Sequence, residues 1–137
     1  MQKTTNYQLN QWAKSDRILM DDFNADNQKL DAALAGMPKM TLGTYIGNGT
    51  KGQSHPTSLT LPFTPQFLAV FPPTGGCRLL CPCGASGSNT SPNGHSYGNV
   101  NVVWNGCTVS WYTTDSGADA DYQMNRINAQ YIYWAVG

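Results

Sequence analysis

Two hydrophobic periods divide this chain, and they change over near residue 40. Over residues 21–37 the apolar side chains Phe23, Leu30, Ala33, Leu34 and Met37 recur at helical spacing. Phe23, Leu30 and Met37 lie seven residues apart, and Asp21 or Asp22 is placed to cap the start, so the pattern predicts a short helix. Asp26 and Asn27 interrupt the stripe between Phe23 and Leu30. About two heptads of helix this polar are marginal in water, so the stripe needs a partner surface, either on sister copies or on its own chain. Self-association through Phe23, Leu30, Leu34 and Met37 is the expectation. Ahead of the helix, Tyr7, Leu9, Trp12 and Ile18 are spaced apolar anchors in a polar arm; they read as a docking peptide or as a staple on the helix start.

From Thr41 onward the period falls to two. Leu42, Thr44 and Ile46 alternate with Tyr45, and Leu59, Leu61 and Phe63 alternate with Thr60 and Pro62. Residues 67–71 form a short continuous apolar run, the pattern of a strand covered on both faces. A Pro-Pro-Thr-Gly-Gly turn at 72–76 leads into 77–83, and residues 131–136 make a last apolar strand. Segments 100–104 and 107–112 flank Asn105-Gly106, a pair suited to the two-residue type I′ hairpin. Roughly six to eight short strands separated by turn signals predict an antiparallel β-sandwich. The expected organisation is mainly β: an attachment segment and oligomerisation helix over 1–40, forming a short stalk, then a β-sandwich head over 41–137.

Composition narrows the function classes. The 137 residues carry 8 Lys+Arg and 8 Asp+Glu, so formal net charge is zero and no global positive field exists to hold nucleic acid or an anionic membrane. With 40% hydrophobic and 12% charged residues the chain is built to fold. Every acid is Asp and most lie toward the amino end, a poor supply for general acid–base chemistry. The N-terminus lacks an apolar signal core and no run is long enough to span a bilayer, so cytoplasmic synthesis without membrane insertion is expected.

The candidate chemistries are thin. Cys77, Cys81 and Cys83 share one strand face by parity and Cys107 opens a later strand; thiols, disulfides and metal ligation all stay open, although paired C-x2-C knuckles are lacking. His55 and His95 sit in polar loops without a second ligand at helical or strand spacing, and no G-x-S-x-G elbow accompanies them. Asp115, Asp119 and Asp121 depart from the EF-hand pattern, and no Gly-rich phosphate loop opens a helix. No enzyme, cofactor or metal site is expected. The run over 84–98 of Gly, Ser, Asn, Thr and Pro cannot form a core and reads as an exposed loop carrying Asn93, His95 and Tyr97. With Trp111 and Tyr112, whose flat rings could stack on a sugar, these residues form the candidate recognition set.

Thr5-Asn6-Tyr7-Gln8-Leu9-Asn10-Gln11-Trp12, Ser15-Asp16-Arg17 and Asp22-Phe23-Asn24-Ala25-Asp26-Asn27-Gln28-Lys29-Leu30-Asp31-Ala32-Ala33-Leu34 together resemble the N-terminal segment of tail-fibre and receptor-binding proteins of phages and prophages of Gram-positive bacteria. Gly43-Thr44-Tyr45-Ile46-Gly47-Asn48-Gly49, Leu61-Pro62-Phe63-Thr64-Pro65-Gln66-Phe67-Leu68-Ala69-Val70 and Asn128-Ala129-Gln130-Tyr131-Ile132-Tyr133-Trp134-Ala135-Val136-Gly137 are similar to the distal domain that often ends them. The resemblance implies a virion tail protein, usually a homotrimer, attached to the tail or baseplate through a segment holding Tyr7, Leu9 and Trp12. Its head would meet host cell-surface carbohydrate. Almost no shaft separates helix from head, so the fibre would be stubby. A purely structural baseplate or decoration subunit, and a part of a tail-like bacteriocin or contractile injection particle, use the same elements.

Overall fold

A computed structural model of the chain describes residues 2–72, 77–85, 89–90, 100–114 and 119–137. The fold is mainly β, with antiparallel sheets and one α-helix, in two compact units, Met1–Pro38 and Lys39–Gly137.

In the first unit β1 (Gln2–Lys3) and β2 (Asn10–Gln11) pair antiparallel, and α1 spans Met20–Ala35. The hairpin is closed by the Thr4 N–H on the Leu9 carbonyl at 2.8 Å and by the Leu9 N–H on Thr4 Oγ1 at 2.9 Å. Leu19, not Asp21 or Asp22, occupies the N-cap, without a side-chain bond; the two aspartates fall in the first turn, where their charge opposes the helix dipole's positive end. Gly36 ends the helix and Pro38 follows, so Met37 lies beyond the last turn and the heptad is one anchor shorter than its spacing promised.

The residues that break the apolar stripe have a partner of their own. The Asn10 amide donates to Asp26 Oδ2 at 2.8 Å, its side chain donates to the Asp22 carbonyl at 3.3 Å, and Lys29 Nζ donates to the Gln8 carbonyl at 2.7 Å and to Asp26 Oδ1 at 3.3 Å. Asp22, Asp26 and Lys29, one helical face, thus hold the hairpin. Desolvation would raise the Asp26 carboxyl, but the Asn10 amide and the Lys29 ammonium outweigh it and leave the group below its ordinary value. The apolar face stays uncovered: Phe23, Leu30 and Leu34 are exposed, and no residue of α1 is buried.

The second unit holds a five-stranded sheet ordered β3 (Met40–Ile46), β10 (Gln130–Val136), β5 (Phe67–Phe71), β6 (Arg78–Pro82), β7 (Asn89–Thr90), and a three-stranded sheet ordered β4 (Thr57–Thr60), β9 (Thr108–Thr113), β8 (Val100–Asn105). The last strand in sequence, β10, lies between β3 and β5 and pairs with both. One core cluster draws on both sheets, with Leu68, Val70, Leu79 and Cys81 from the first and Val102, Val109 and Trp111 from the second. Tyr45 stacks on Tyr131 at 5.2 Å and meets Trp111 edge-on at 6.2 Å, and its hydroxyl donates to the Met124 carbonyl at 2.6 Å.

Four local expectations change. The hairpin between β8 and β9 pairs Asn105 with Thr108, so its two-residue turn is Gly106-Cys107 rather than Asn105-Gly106. Gly106 has φ of 57° while Cys107 is not among the positive-φ residues, which is the demand of a type II′ turn, met by glycine at the first central position. β4 stops at Thr60 because Pro62 offers no ladder N–H, although Leu61 and Phe63 remain buried. Cys83 leaves the face it would share with Cys77 and Cys81, because β6 ends at Pro82 and Gly84 turns the chain with φ of 81°. On β3 the apolar pair Leu42 and Ile46 points outward, exposed, while Tyr45 points to the core.

Candidate functional site

A cleft of about 350 Å³ opens on the second unit, lined by Gly49, Asp119, Ala120, Asp121, Arg126 and Ile127. Three loops meet there, and their approach is dictated residue by residue. Gly47 is buried, and a Cβ on it would overlap the Arg126 carbonyl oxygen and the Asn125 backbone, so only glycine lets the 47–50 loop lie against the 125–128 connection. Asn125 Nδ2 then donates to Asn48 Oδ1 at 2.7 Å and to the Thr50 carbonyl at 2.8 Å, while the Gly49 N–H donates to the Asn125 carbonyl at 2.8 Å.

The third wall is the 3-10 turn Ala120–Gln123, fixed by a fully buried glutamine. Gln123 Oε1 accepts the N–H groups of Gly52 at 2.8 Å and Thr113 at 3.1 Å; its Nε2 donates to the His55 carbonyl at 2.8 Å and to Thr57 Oγ1 at 3.2 Å. Its carbonyl accepts the Trp111 indole N–H at 2.8 Å. Both ends of the amide are satisfied, as a buried amide requires.

Arg126 Nη1 stands 3.9 Å from Asp121 Oδ2, and both side chains remain largely open to solvent. Beneath them the Tyr131 hydroxyl accepts the Arg126 N–H at 3.2 Å; burial raises its pKa, and the nearby Asp121 charge adds to the effect, so the phenol is neutral. The exposed Ile127 supplies the apolar part of the rim. Carboxylates that accept hydroxyl protons, a guanidinium that donates, and an aliphatic surface are the complement of a polyhydroxylated ligand.

The residues proposed from sequence fall differently. Asn93, His95 and Tyr97, and most of the 84–98 loop, lie outside the described residues, as does Asp115. Trp111 leaves the recognition set: it is fully buried and its N–H is committed to Gln123, because β9 alternates and places it on the core face. Tyr112, its neighbour, takes the opposite face and is half-buried. In the attachment segment Tyr7 is exposed and Leu9 and Trp12 are half-buried. Cys81 is buried with its thiol toward the Ala85 carbonyl at 3.4 Å, Cys77 is half-buried, and Cys83 and Cys107 are exposed; no disulfide or cluster of metal-ligating side chains occurs among the described residues. Gln123 and Arg126 were not singled out from sequence. A lone Gln or Arg between polar residues carries no periodic or motif signal, and only the long-range pairing of 48–57 with 121–126 gives either a role.

Comparison with family models, curated proteins and solved structures finds no match to this chain.

Proposed function

We propose that the protein is a non-enzymatic short tail fibre or tip protein of a phage, homotrimeric, attached to the tail or baseplate by its N-terminal segment and binding host cell-surface carbohydrate through a β-sandwich head. One observation carries this reading: in the single chain, α1 spends its polar face on the hairpin and leaves Phe23, Leu30 and Leu34 in water. A helix so exposed is incomplete as a monomer, and copies of itself complete it as a short stalk. The cleft at Asp121, Arg126 and Ile127 supports weak contact with a hydroxyl-rich glycan, made useful by several heads acting together.

Light scattering on the full chain tests the stalk. The expected mass is three times 14.9 kDa, and Leu30→Asp with Leu34→Asp is expected to return it to the chain mass. A wild-type monomer refutes the proposal. Co-sedimentation with a panel of Gram-positive cell-wall polysaccharides tests the head: Arg126→Ala with Asp121→Ala is expected to lower binding at least about tenfold, the loss of one or two charged hydrogen bonds at a weak site. The burial of Trp111 favours a second reading, a structural baseplate or decoration subunit whose aromatics are core; an oligomer that binds none of the polysaccharides supports it.

A further inference from the structure

In an Asn-Gly pair the glycine nitrogen can attack the asparagine carboxamide with little hindrance, because glycine has no Cβ to block the approach. The chain has three such pairs, Asn48-Gly49, Asn93-Gly94 and Asn105-Gly106, of which the second lies outside the described residues. The other two are both exposed and differ in what holds them. At the tip of the β8–β9 hairpin the Asn105 carboxamide and the Gly106 N–H make no hydrogen bond among the described residues, and a Cβ built on Gly106 meets nothing within 4 Å. Asn105 with Thr108 is the last pair of the ladder, where strand ends fray first. Beside the cleft the same dipeptide is clamped. The Gly49 N–H donates to the Asn125 carbonyl at 2.8 Å, and Asn48 Oδ1 accepts Asn125 Nδ2 at 2.7 Å, the Thr50 N–H at 2.9 Å and the Thr50 hydroxyl at 2.7 Å.

We infer that Asn105 is a site of spontaneous deamidation and that the Asn125 contact shields Asn48 from the same reaction. The Gly106 nitrogen gives its proton to solvent hydroxide and bonds to Asn105 Cγ; the Cγ–Nδ2 bond breaks, and the amide group takes up a proton from water and leaves as ammonia. Water then opens the five-membered imide at either carbonyl, to aspartate or to isoaspartate, with no change of oxidation state. Both products add one carboxylate to a chain with 8 Asp+Glu and 8 Lys+Arg, so a net charge of zero becomes minus one. Isoaspartate also inserts the side-chain methylene into the main chain at the end of β8 and lengthens a turn whose two residues are fixed by the pairing of Asn105 with Thr108. The consequence reaches the core, because the Cys107 carbonyl of that turn accepts the Leu61 N–H at 2.9 Å and Leu61 is buried. At Asn48 the attack must first break the Gly49 hydrogen bond and turn a carboxamide held by three donors, and each bond lost slows it severalfold. The cleft wall keeps its amide while the hairpin tip does not. Nothing in this inference depends on the proposed function.

The test ages the full chain in mildly alkaline buffer at physiological temperature, native and unfolded in guanidinium chloride, and follows each site by peptide mass spectrometry, with isoaspartyl methyltransferase labelling to count isoaspartate. In the native chain Asn105 is expected to convert at least about tenfold faster than Asn48, and in the unfolded chain the two are expected to convert at similar rates. Isoelectric focusing of the aged native chain should show a more acidic species that Asn105→Gln diminishes. Asn125→Ser removes the clamp and is expected to speed conversion at Asn48, with circular dichroism verifying the fold; if that variant does not fold, the native and unfolded rates of the wild type carry the test. An Asn105 amide that persists in the native chain while the unfolded chain converts overturns the site. A native ratio of Asn105 to Asn48 below about tenfold, or a folded Asn125→Ser chain with Asn48 no faster, overturns the shielding.

Discussion

Replacing Gln123 with Leu asks how much one buried amide contributes to this fold. The substitution keeps the volume near constant and deletes four hydrogen bonds, to Gly52, Thr113, His55 and Thr57. His55 is exposed and Gly52 half-buried, so water replaces the amide there and the loss is about 1 kcal/mol each; Thr57 and Thr113 are buried, and losing their partner costs about 1.5 kcal/mol each. The more apolar leucine offsets about 1–2 kcal/mol of this by burial, leaving a net destabilisation of about 3 kcal/mol. For a unit of this size that is a fall in Tm of roughly 12–24 °C, read by circular dichroism and tryptophan fluorescence together. Trp111 reports locally, because its indole N–H bonds the Gln123 carbonyl, which the substitution retains. A fall below about 4 °C, on the order of 1 kcal/mol, would refute the claim that this amide fixes the 3-10 turn and the cleft wall.

Gly47→Ala is expected to destabilise the second unit by about 3 kcal/mol, because the added methyl meets the backbone of Asn125 and Arg126 rather than a movable side chain. Chemical denaturation reads it, and a change in midpoint corresponding to under about 1 kcal/mol would show that the loops yield easily. Burial raises the pKa values of Tyr45 and Tyr131 above the ordinary phenol value, and the neighbouring Tyr131 adds to it for Tyr45 as the Asp121 charge does for Tyr131. Their contribution to stability is therefore complete below about pH 10 and is lost as pH rises beyond it, by up to about 1.4 kcal/mol per pH unit for each ring. In an alkaline ultraviolet titration their ionisation should coincide with unfolding; ionisation of all seven tyrosines before any loss of circular dichroism would contradict the buried pair.

The strand segments were legible where burial is symmetrical. Residues 67–71 are apolar without a break because Leu68, Ala69 and Val70 are all fully buried, and such a run reads the same from either face. Where faces differ, alternation locates a strand without saying which side meets the core. Leu42 and Ile46 look like core side chains and point outward; Tyr45, between them, carries the inward contact. Trp111 shows the converse, since a ring suited to a sugar and a ring suited to a core have one identity and one parity. The cleft was the least legible part, as Gly49, Asp121, Arg126 and Ile127 come from segments more than 70 residues apart at the Asn48–Asn125 contact.

The sequence alone determined what depends on neighbours: two periods that change over near residue 40, a helix beginning near Asp21, short antiparallel strands, and a hairpin turn that includes Gly106. Dihedral preference and side-chain periodicity act within a few residues, so they are written locally. Tertiary structure alone decided that β10 enters between β3 and β5, that Asp26 serves the hairpin and not the stripe, that the Gly47 contact draws the cleft together, and that Leu42 and Ile46 face outward while Tyr45 meets the core. Those outcomes depend on which distant groups desolvate one another, a choice made only when the chain closes on itself.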